Sequence, residues 1–258
     1  MDFLEQIAQE KKQQVQVLAQ SLSLDEVRER ALAAEPVRGF QKSIMKAAKP
    51  GLIAEIKRRS PSAGNLQPDL DPERLARTYE KSGAAAISVL TDSVHFGGSL
   101  ETLSQVRASV SLPVLRKEFI VSAYQLYEAR AANADAALLI GELLSKGELE
   151  EFLGIARGIG LDILAEAHTE EDLKKVVEAG AGLVGVNNRD LRNLEMDTGT
   201  CARLCSLIPA DRSWVAESGI HTRAQIEEVR DLGACAVLIG ESLLKGAGVE
   251  ATVAELFG

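Results

Sequence analysis

The chain has 258 residues, 46% hydrophobic and 26% charged, with few aromatics and a net charge of −9, which is enough to bury a sizeable core at a length where α/β barrels form one domain. No apolar run reaches the roughly 18 residues of a membrane-spanning helix, and the chain turns polar right after Met1, unlike a secretory leader. The acidic balance argues against a nucleic-acid partner, which needs a basic face; it leaves a small anionic ligand open, because the local field of a cleft can oppose the net charge.

Residues 1–48 read as helical. Phe3, Leu4, Ile7, Lys11, Val15 and Leu18 fall at amphipathic spacing, and Ser23 with Glu26 forms a capping-box start for a second helix. Pro36 and Gly39 interrupt before a short segment at 40–48. This extension carries no recognisable chemistry and is expected to brace or cover the main body.

The stretch 51–66 follows, an apolar strand ending in Glu55 and Lys57 before a Ser/Pro/Gly loop. Side chains at i and i+2 on a strand share a face, so Ile53, Glu55 and Lys57 point one way and Ala54 and Ile56 the other. Opposite charges on an inward face are costly unless they pair or meet a ligand. Taken alone, this stretch fits a structural ion pair and a functional pair equally well.

From here the pattern repeats. Short runs rich in Ile, Val, Leu and Ala occur at 52–57, 84–90, 112–117, 135–140, 161–166, 182–187, 213–217 and 235–240. Between them lie amphipathic stretches at 71–81, 99–109, 123–132, 146–159, 169–179, 199–207 and 222–232. Asp71-Pro72, Thr169 with Asp172, and Thr222 mark helix starts, while Gly83, Gly160, Gly180 and Gly233 mark exits. Eight strand–helix units predict a (β/α)8 barrel over 49–258 with the helical extension 1–48 in the same single domain. An open doubly wound sheet is the alternative, disfavoured because no Gly-x-Gly-x-x-Gly turn follows the first strand.

Cys201, Cys205 and Cys235 fit neither a disulfide framework nor a zinc spacing, and Cys201 and Cys205 sit four apart as helix core residues would. A reduced, cytoplasmic setting is expected. His95, His168 and His221 are scattered, so no metal site is expected.

Barrel sites lie at the C-terminal ends of the strands. The strands here enter through small or uncharged residues and leave through Glu55/Lys57, Thr91/Asp92, Lys117/Glu118, Glu142, Glu166, Asn187/Arg189, Glu217/Ser218 and Glu241/Ser242. Any one of these could be a solvated loop charge. Strand parity narrows the set, because Lys117 follows Leu115, Glu166 follows Leu164 and Glu217 follows Val215 on the inward face. Converging acids and bases of this kind suggest tuned proton transfer. Ser218-Gly219-Ile220 and Gly240-Glu241-Ser242, after the last two strands, suggest a phosphate held by backbone N–H groups, although a tight turn explains each glycine taken singly.

At this point the residues resemble one family. Glu55-Ile-Lys-Arg-Arg-Ser60-Pro61-Ser62, Ile87-Ser-Val-Leu-Thr-Asp92, Phe96-Gly-Gly-Ser99, Leu115-Arg-Lys117-Glu-Phe119-Ile, Ala165-Glu166-Ala-His, Gly185-Val-Asn187-Asn-Arg189-Asp-Leu and Glu217-Ser218-Gly219-Ile are similar to indole-3-glycerol phosphate synthase. The resemblance runs from the helical extension to the end of the chain. It implies decarboxylating ring closure of 1-(2-carboxyphenylamino)-1-deoxyribulose 5-phosphate in tryptophan synthesis, with no metal or organic cofactor. The implied partner is a small phosphorylated substrate, with no nucleic acid or membrane, and a monomer or weak homodimer is expected.

By motif position, Lys117 would protonate the ribulose carbonyl oxygen and Glu166 would move a proton in the later dehydration. Lys57 would meet the substrate carboxylate or act as a second acid near the phosphate, and Glu55 would hold Lys57 or Lys117 charged. Asn187, Arg189, Glu217 and Ser218 would position the anthranilate part and the hydroxyls. Ser60, Gly219, Gly240, Glu241 and Ser242 would receive the phosphate, and Phe119 would help to dry the pocket. Glu118 stands where the family usually has Asp, Ala216 where it usually has Ser, and Ser93-Val94-His95 replaces its charged-aromatic approach to Phe96. Two other readings are a sugar-phosphate isomerase barrel and a catalytically weak barrel serving as an assembly partner. The first would want Asp or Cys at the first and middle strand ends, where Glu55, Lys57 and Lys117 stand; the retained Lys57, Lys117 and Glu166 disfavour the second.

Overall fold

The computed structural model describes residues 3–48, 50–61, 64–65, 69–244 and 248–258; Ser62 of the first motif lies outside them. The helical extension comprises α1 (Phe3–Ser21), α2 (Leu24–Ala33) and α3 (Phe40–Lys46). After it come β1 (Gly51–Ile56), the two-residue strands β2 (Arg59–Ser60) and β3 (Gly64–Asn65), then α4 (Pro72–Lys81), β4 (Ala86–Leu90), α5 (Leu100–Ser109) and β5 (Val114–Lys117). The chain continues through α6 (Ala123–Ala131), β6 (Ala136–Ile140), α7 (Lys146–Gly158), β7 (Asp162–Ala167), α8 (Glu170–Glu178) and β8 (Leu183–Asn187). It ends with α9 (Thr200–Leu204), β9 (Ser213–Glu217), α10 (Arg223–Asp231), β10 (Ala236–Ile239), α11 (Glu241–Leu244) and α12 (Val249–Phe257).

The eight apolar runs become parallel strands because both of their faces are covered, the condition under which parallel sheets occur. Their order, β1-β10-β9-β8-β7-β6-β5-β4 with β4 back on β1, closes the barrel. This is the expected (β/α)8 architecture. Two details differ from expectation. The loop after β1 folds into the small antiparallel pair β2/β3. The helix expected over 199–207 stops after α9 and tightens into a 3-10 turn at Cys205–Leu207, where Ile208 turns extended ahead of Pro209, as residues before proline do.

Helix ends follow from local chemistry. Ser23, Asp71, Ser99, Ser122, Ser145, Thr169 and Thr222 each accept a backbone N–H of the first turn, caps worth about 1 kcal/mol apiece. The four exit glycines all take positive φ, and Asn133 (φ 64°) does the same after α6, being a residue that tolerates the left-handed region. Among the described residues no helix is long and apolar enough to cross a membrane. Among the described residues Cys201, Cys205 and Cys235 form no disulfide, and Cys201 and Cys235 are buried.

Strand parity divides the core in two. Leu52, Ala54, Ile56, Val114, Ala137, Leu139 and Val237 pack outward under the helices, while Ile53, Leu115, Leu138, Leu164, Leu183, Val215 and Leu238 fill the barrel. The extension runs the length of this barrel. α1 lies at the C-terminal end of the strands, where Phe3 N donates to Arg192 O and Lys11 pairs with Asp92 and Glu118. α2 packs on α6. α3 closes the opposite end: Phe40 and Ile44 are buried in the inner core, and Gln41 N donates to Asp162 at the start of β7.

Asp135, fully buried just before β6, joins the extension to that lower end. Its carboxylate accepts from Arg107 Nε (2.8 Å), Arg107 Nη2 (3.1 Å), Arg38 N (2.8 Å) and Val114 N (2.8 Å). Removing one partner of a buried pair strands the other charge, so Asp135→Ala should lower unfolding free energy by about 3–5 kcal/mol. Urea unfolding checks this; activity of the remaining folded protein should hold, since Asp135 lies at the end of the barrel away from the cleft.

Candidate active site

One pleat above the apolar barrel filling, the inward positions turn polar. They line a cleft of about 360 Å³ at the C-terminal end of the strands. Glu55 and Lys57 come from the end of β1, Lys117 from β5, Asn187 from β8 and Glu217 from β9. Ser60, Phe119, Arg189, Ser218, Gly219, Gly240, Glu241 and Ser242 also border it. Glu166, at the end of β7, is fully buried behind the cleft and reaches it through Lys117. The structure thus brings together the residues that strand parity and the family motifs singled out, while Thr91, Asp92 and Glu142, also read as strand-end residues, do not border the cleft.

The charges form two linked groups. Lys57 Nζ lies 2.7 Å from Glu55 Oε1. Lys117 Nζ sits 2.9 Å from Glu166 Oε2 and 3.3 Å from Glu217 Oε2. Glu55 therefore holds Lys57, and Lys117 is held by the acids of β7 and β9. Burial works against the Lys117 ammonium, but Glu166, Glu217 and Glu55 outweigh it and raise its pKa. Burial also raises Glu166, yet Lys117 and His168 overcome it and bring that carboxyl down to about 2. Glu217 goes the other way, pushed up to about 8 by burial and by the neighbouring Glu166 charge, which Lys117 only partly offsets. Three carboxyls facing two ammoniums leave one acid without a full counter-charge, and Glu217 is the one whose pKa is pushed up.

Space for these carboxyls comes from two glycines. A Cβ at Gly185 would lie 2.2 Å from Glu217 Oε1, and one at Gly240 would lie 2.5 Å from Glu55 Oε1. Gly240, read from sequence as part of a phosphate loop, thus also makes room for a buried acid, and Gly185 is a strand glycine of the kind that marks close approach. Beyond β9 the chain turns through two left-handed residues, Ser218 (φ 64°) and Gly219 (φ 72°). At Ser218 this costs of the order of 1–3 kcal/mol, and Asn188 Nδ2 secures the turn by donating to Ser218 O (3.0 Å). Ser242 Oγ donates to Ile220 O (2.9 Å) and contacts His221 Nδ1 (2.7 Å), tying together the loops after β9 and β10. Arg189 Nη1 donates to Leu194 O (3.1 Å), so the guanidinium holds the loop after β8 as well as bordering the cleft.

Two of the positions that depart from the family pattern, Glu118 and His95, meet α1, while Ala216 is buried in the outer core on β9. Glu118 Oε1 lies 2.9 Å from Lys11 Nζ, and Glu118 Oε2 accepts from Thr91 Oγ1 (2.8 Å). Asp92 Oδ2 takes the same ammonium at 2.8 Å. His95 Nε2 sits 2.9 Å from Glu10 Oε2, its ring edge-on to Phe3, and Phe3 borders the cleft.

Sequence reasoning missed His168 and its link to Glu142. His168 stands two residues after Glu166 and so on the same strand face; the parity rule applied to Glu55 and Lys57 would have found it. Its Nε2 lies 3.3 Å from Glu166 Oε1 and its Nδ1 3.6 Å from Glu142 Oε2. Glu142, His168 and Asp172 offer metal-ligand atoms within 4.8 Å of one another. Protein cations already serve both carboxylates: Arg192 Nε is 2.8 Å from Glu142 Oε1, and Lys175 Nζ is 3.5 Å from Asp172 Oδ1.

Comparison with known proteins bears on this site. Residues 4–256 match the family model for indole-3-glycerol phosphate synthase. A protein of that name from Desulfosudis oleivorans is 46% identical over 249 residues, covering 95% of this chain and 94% of its own. Another from Syntrophobacter fumaroxidans is 44% identical over 259 residues, covering 100% and 98%. Among solved structures, the N-acetylmannosamine-6-phosphate 2-epimerase from Clostridium perfringens aligns with a TM-score of 0.59 at 14% identity, covering 77% of this chain and 90% of its own. A chain of the tryptophan synthase complex from Pyrococcus furiosus aligns at 0.58 and 20% identity, covering 81% and 98%. At such identities these two structures establish the barrel alone.

The raised Glu217 carboxyl has a consequence for stability. Its folded pKa of about 8 lies above the ordinary 4.5, so between those values the native state holds a proton that the unfolded chain has released. Stability contributed by this group therefore falls as pH rises through that window. Glu217→Gln removes the effect. Relative to the parent, the variant should gain thermal stability steadily from about pH 4.5 to 8 and level off above. Thermal unfolding across that range checks this; a difference flat with pH would mean that Glu217 is ionised in the folded protein.

Proposed function

The chain belongs to the indole-3-glycerol phosphate synthase family, and from that premise we propose a role for each side chain of the cleft. The enzyme is a carboxy-lyase of tryptophan biosynthesis. It closes the indole ring of 1-(2-carboxyphenylamino)-1-deoxyribulose 5-phosphate with loss of CO2 and water.

The observation that carries the assignment is the Lys117 ammonium held between Glu166 and Glu217. As the aromatic carbon attacks the ketone, charge grows on the carbonyl oxygen. Lys117, kept protonated by its carboxylates, supplies the proton. CO2 then leaves, and the electron pair of its bond restores the aromatic ring. Loss of the new hydroxyl as water needs a second acid proton, delivered by Lys117 or Lys57, while Glu166 takes a proton from the ring methylene. General acid–base steps of this kind contribute about 10²–10⁴ in rate.

Ring closure also has to overcome the freedom of an open chain, and anchoring at both ends addresses that. The phosphate belongs at the joined loops of Ser218-Gly219 and Gly240-Glu241-Ser242, with Ser60 and Lys57 on the same side. The anthranilate part belongs between Asn187, Arg189, Phe119 and the apolar wall of Phe3, Leu191 and Met196, where a dry surface favours release of CO2. Glu55 keeps Lys57 charged and aimed. Cysteines without disulfides and the biosynthetic role support a cytoplasmic setting, and a complete site within one chain suits a monomer or weak homodimer.

The test is indole emission from purified protein and substrate. The parent should produce it. Lys117→Ala should lower kcat by about 10²–10⁴ while still binding a phosphate-bearing product analogue. Unchanged turnover in Lys117→Ala would overturn the assignment of the acid.

A further inference from the structure

The reaction consumes a proton, and the fold contains a line of groups suited to delivering it. A carboxylate enters and neutral CO2 leaves, so each turnover takes one proton from solvent. Two protons go to oxygen: the first turns the ketone oxygen into a hydroxyl, and the second leaves with that hydroxyl as water. One proton comes back, from the ring methylene to Glu166. The Glu166–Lys117 contact of 2.9 Å can return that one to the amine. The other must come from outside, at a stage when substrate fills the cleft.

We propose that Glu142 and His168 form a proton-supply line that reaches the back of Glu166 from the surface and reloads Lys117 while the cleft is still occupied. The proposal rests on the roles given above to Lys117 and Glu166. Four observations carry it. His168 lies on the inward face of the β7 end, almost wholly buried, with one ring nitrogen toward each of two carboxylates: Nε2 is 3.3 Å from Glu166 Oε1 and Nδ1 is 3.6 Å from Glu142 Oε2. Glu166 uses its other oxygen, Oε2, for Lys117, so its two oxygens face opposite ends of the line. Neither Glu142 nor His168 borders the cleft, so bound substrate leaves them uncovered. Glu142 keeps 13% of its side chain exposed and is fixed from the other side by Arg192.

An imidazole between two carboxylates can take a proton at Nδ1 and release one at Nε2. Both separations are longer than a formed hydrogen bond, as such contacts commonly are before substrate binds. The surroundings support passage rather than storage. Asp172 from α8 and Asp190 from the loop after β8 add negative charge around the ring, and Arg192 and Lys175 balance the carboxylates. The step balances: a solvent proton reaches Glu142, moves to Nδ1 as Nε2 gives its proton to Glu166, and Glu166 passes that proton to the Lys117 amine.

Three variants and two kinetic regimes test this, in buffer containing a chelator. His168→Ala should lower steady-state kcat about 10-fold to 10²-fold with little change in KM. Its first turnover, measured by stopped flow with enzyme in excess, should match the parent, because that turnover uses protons already on the lysines. Added imidazole should restore steady-state turnover. Unchanged kcat in the variant would overturn the proposal, and so would a loss shared equally by the first turnover and the steady state and not relieved by imidazole. Parent activity lost to the chelator and restored by a divalent ion would overturn it in favour of a metal at Glu142, His168 and Asp172. Should His168→Ala not fold, His168→Gln fills similar space without carrying protons, and the split between first turnover and steady state decides alone. Glu166→Gln separates the two layers: full activity there would sink the role given to Glu166, whereas loss there with a silent His168 variant would sink the supply line only.

Discussion

The structure depends on holding three carboxyls and two ammoniums together where the barrel opens. Charges taken out of water cost several kcal/mol each unless geometry and hydrogen bonds compensate. Lys117 is shared between Glu166 and Glu217, and Lys57 is held by Glu55. With one more acid than base, one carboxyl is driven towards its neutral form, and Glu217 is the one pushed up, to about 8. In that arrangement the lysine stays charged, with Glu166 and Glu217 side by side next to it.

Other features of the barrel follow from this demand. Below the charged layer, Ile53, Leu115, Leu164 and Val215 fill the interior without polar side chains, so the charged layer is closed off from below. Gly185 and Gly240 stand where any side chain would collide with Glu217 or Glu55. Even the left-handed Ser218 belongs here, because turning the chain sharply after β9 leaves Glu217 inside and the next loop at the rim. Stability is given up at these positions, and buried contacts far from the cleft, such as the Asp135 cluster at the opposite end, offset some of it.

Much of this was legible in the sequence because one rule carried it. Alternation along a strand fixes which side chains face inward, and it placed Glu55, Lys57, Lys117, Glu166 and Glu217 together before any coordinate was known. The same rule applied one step past Glu166 would have added His168, which was instead set aside as a scattered histidine. Gly185 could not be understood so simply. Its need arises from a neighbouring strand, through the β8–β9 register that sets Gly185 against Val215 and Asn187 against Glu217, and a single sequence does not state registers. The β2/β3 pair and the early end of α9 were missed for a different reason: both are decided within two or three residues by turn geometry, where periodicity is silent.

The helical extension connects these levels. It showed no chemistry in sequence, yet it touches both ends of the barrel. α3 supplies the apolar floor under the strands. At the other end α1 inserts Lys11 between Asp92 and Glu118, the neighbours in sequence of Thr91 and Lys117. Glu118 is longer by one methylene than the Asp usual in the family, which suits a carboxylate that must meet an ammonium arriving from a separate helix. His95, in the segment where the family usually carries a charged-aromatic approach, contacts Glu10 and Phe3 of that same helix. Two of the departures from the family pattern, Glu118 and His95, therefore fall on one interface and are matched there by partners from α1, whereas Ala216 lies buried under the helices on β9. Those two concern how the extension seats on the rim of the cleft.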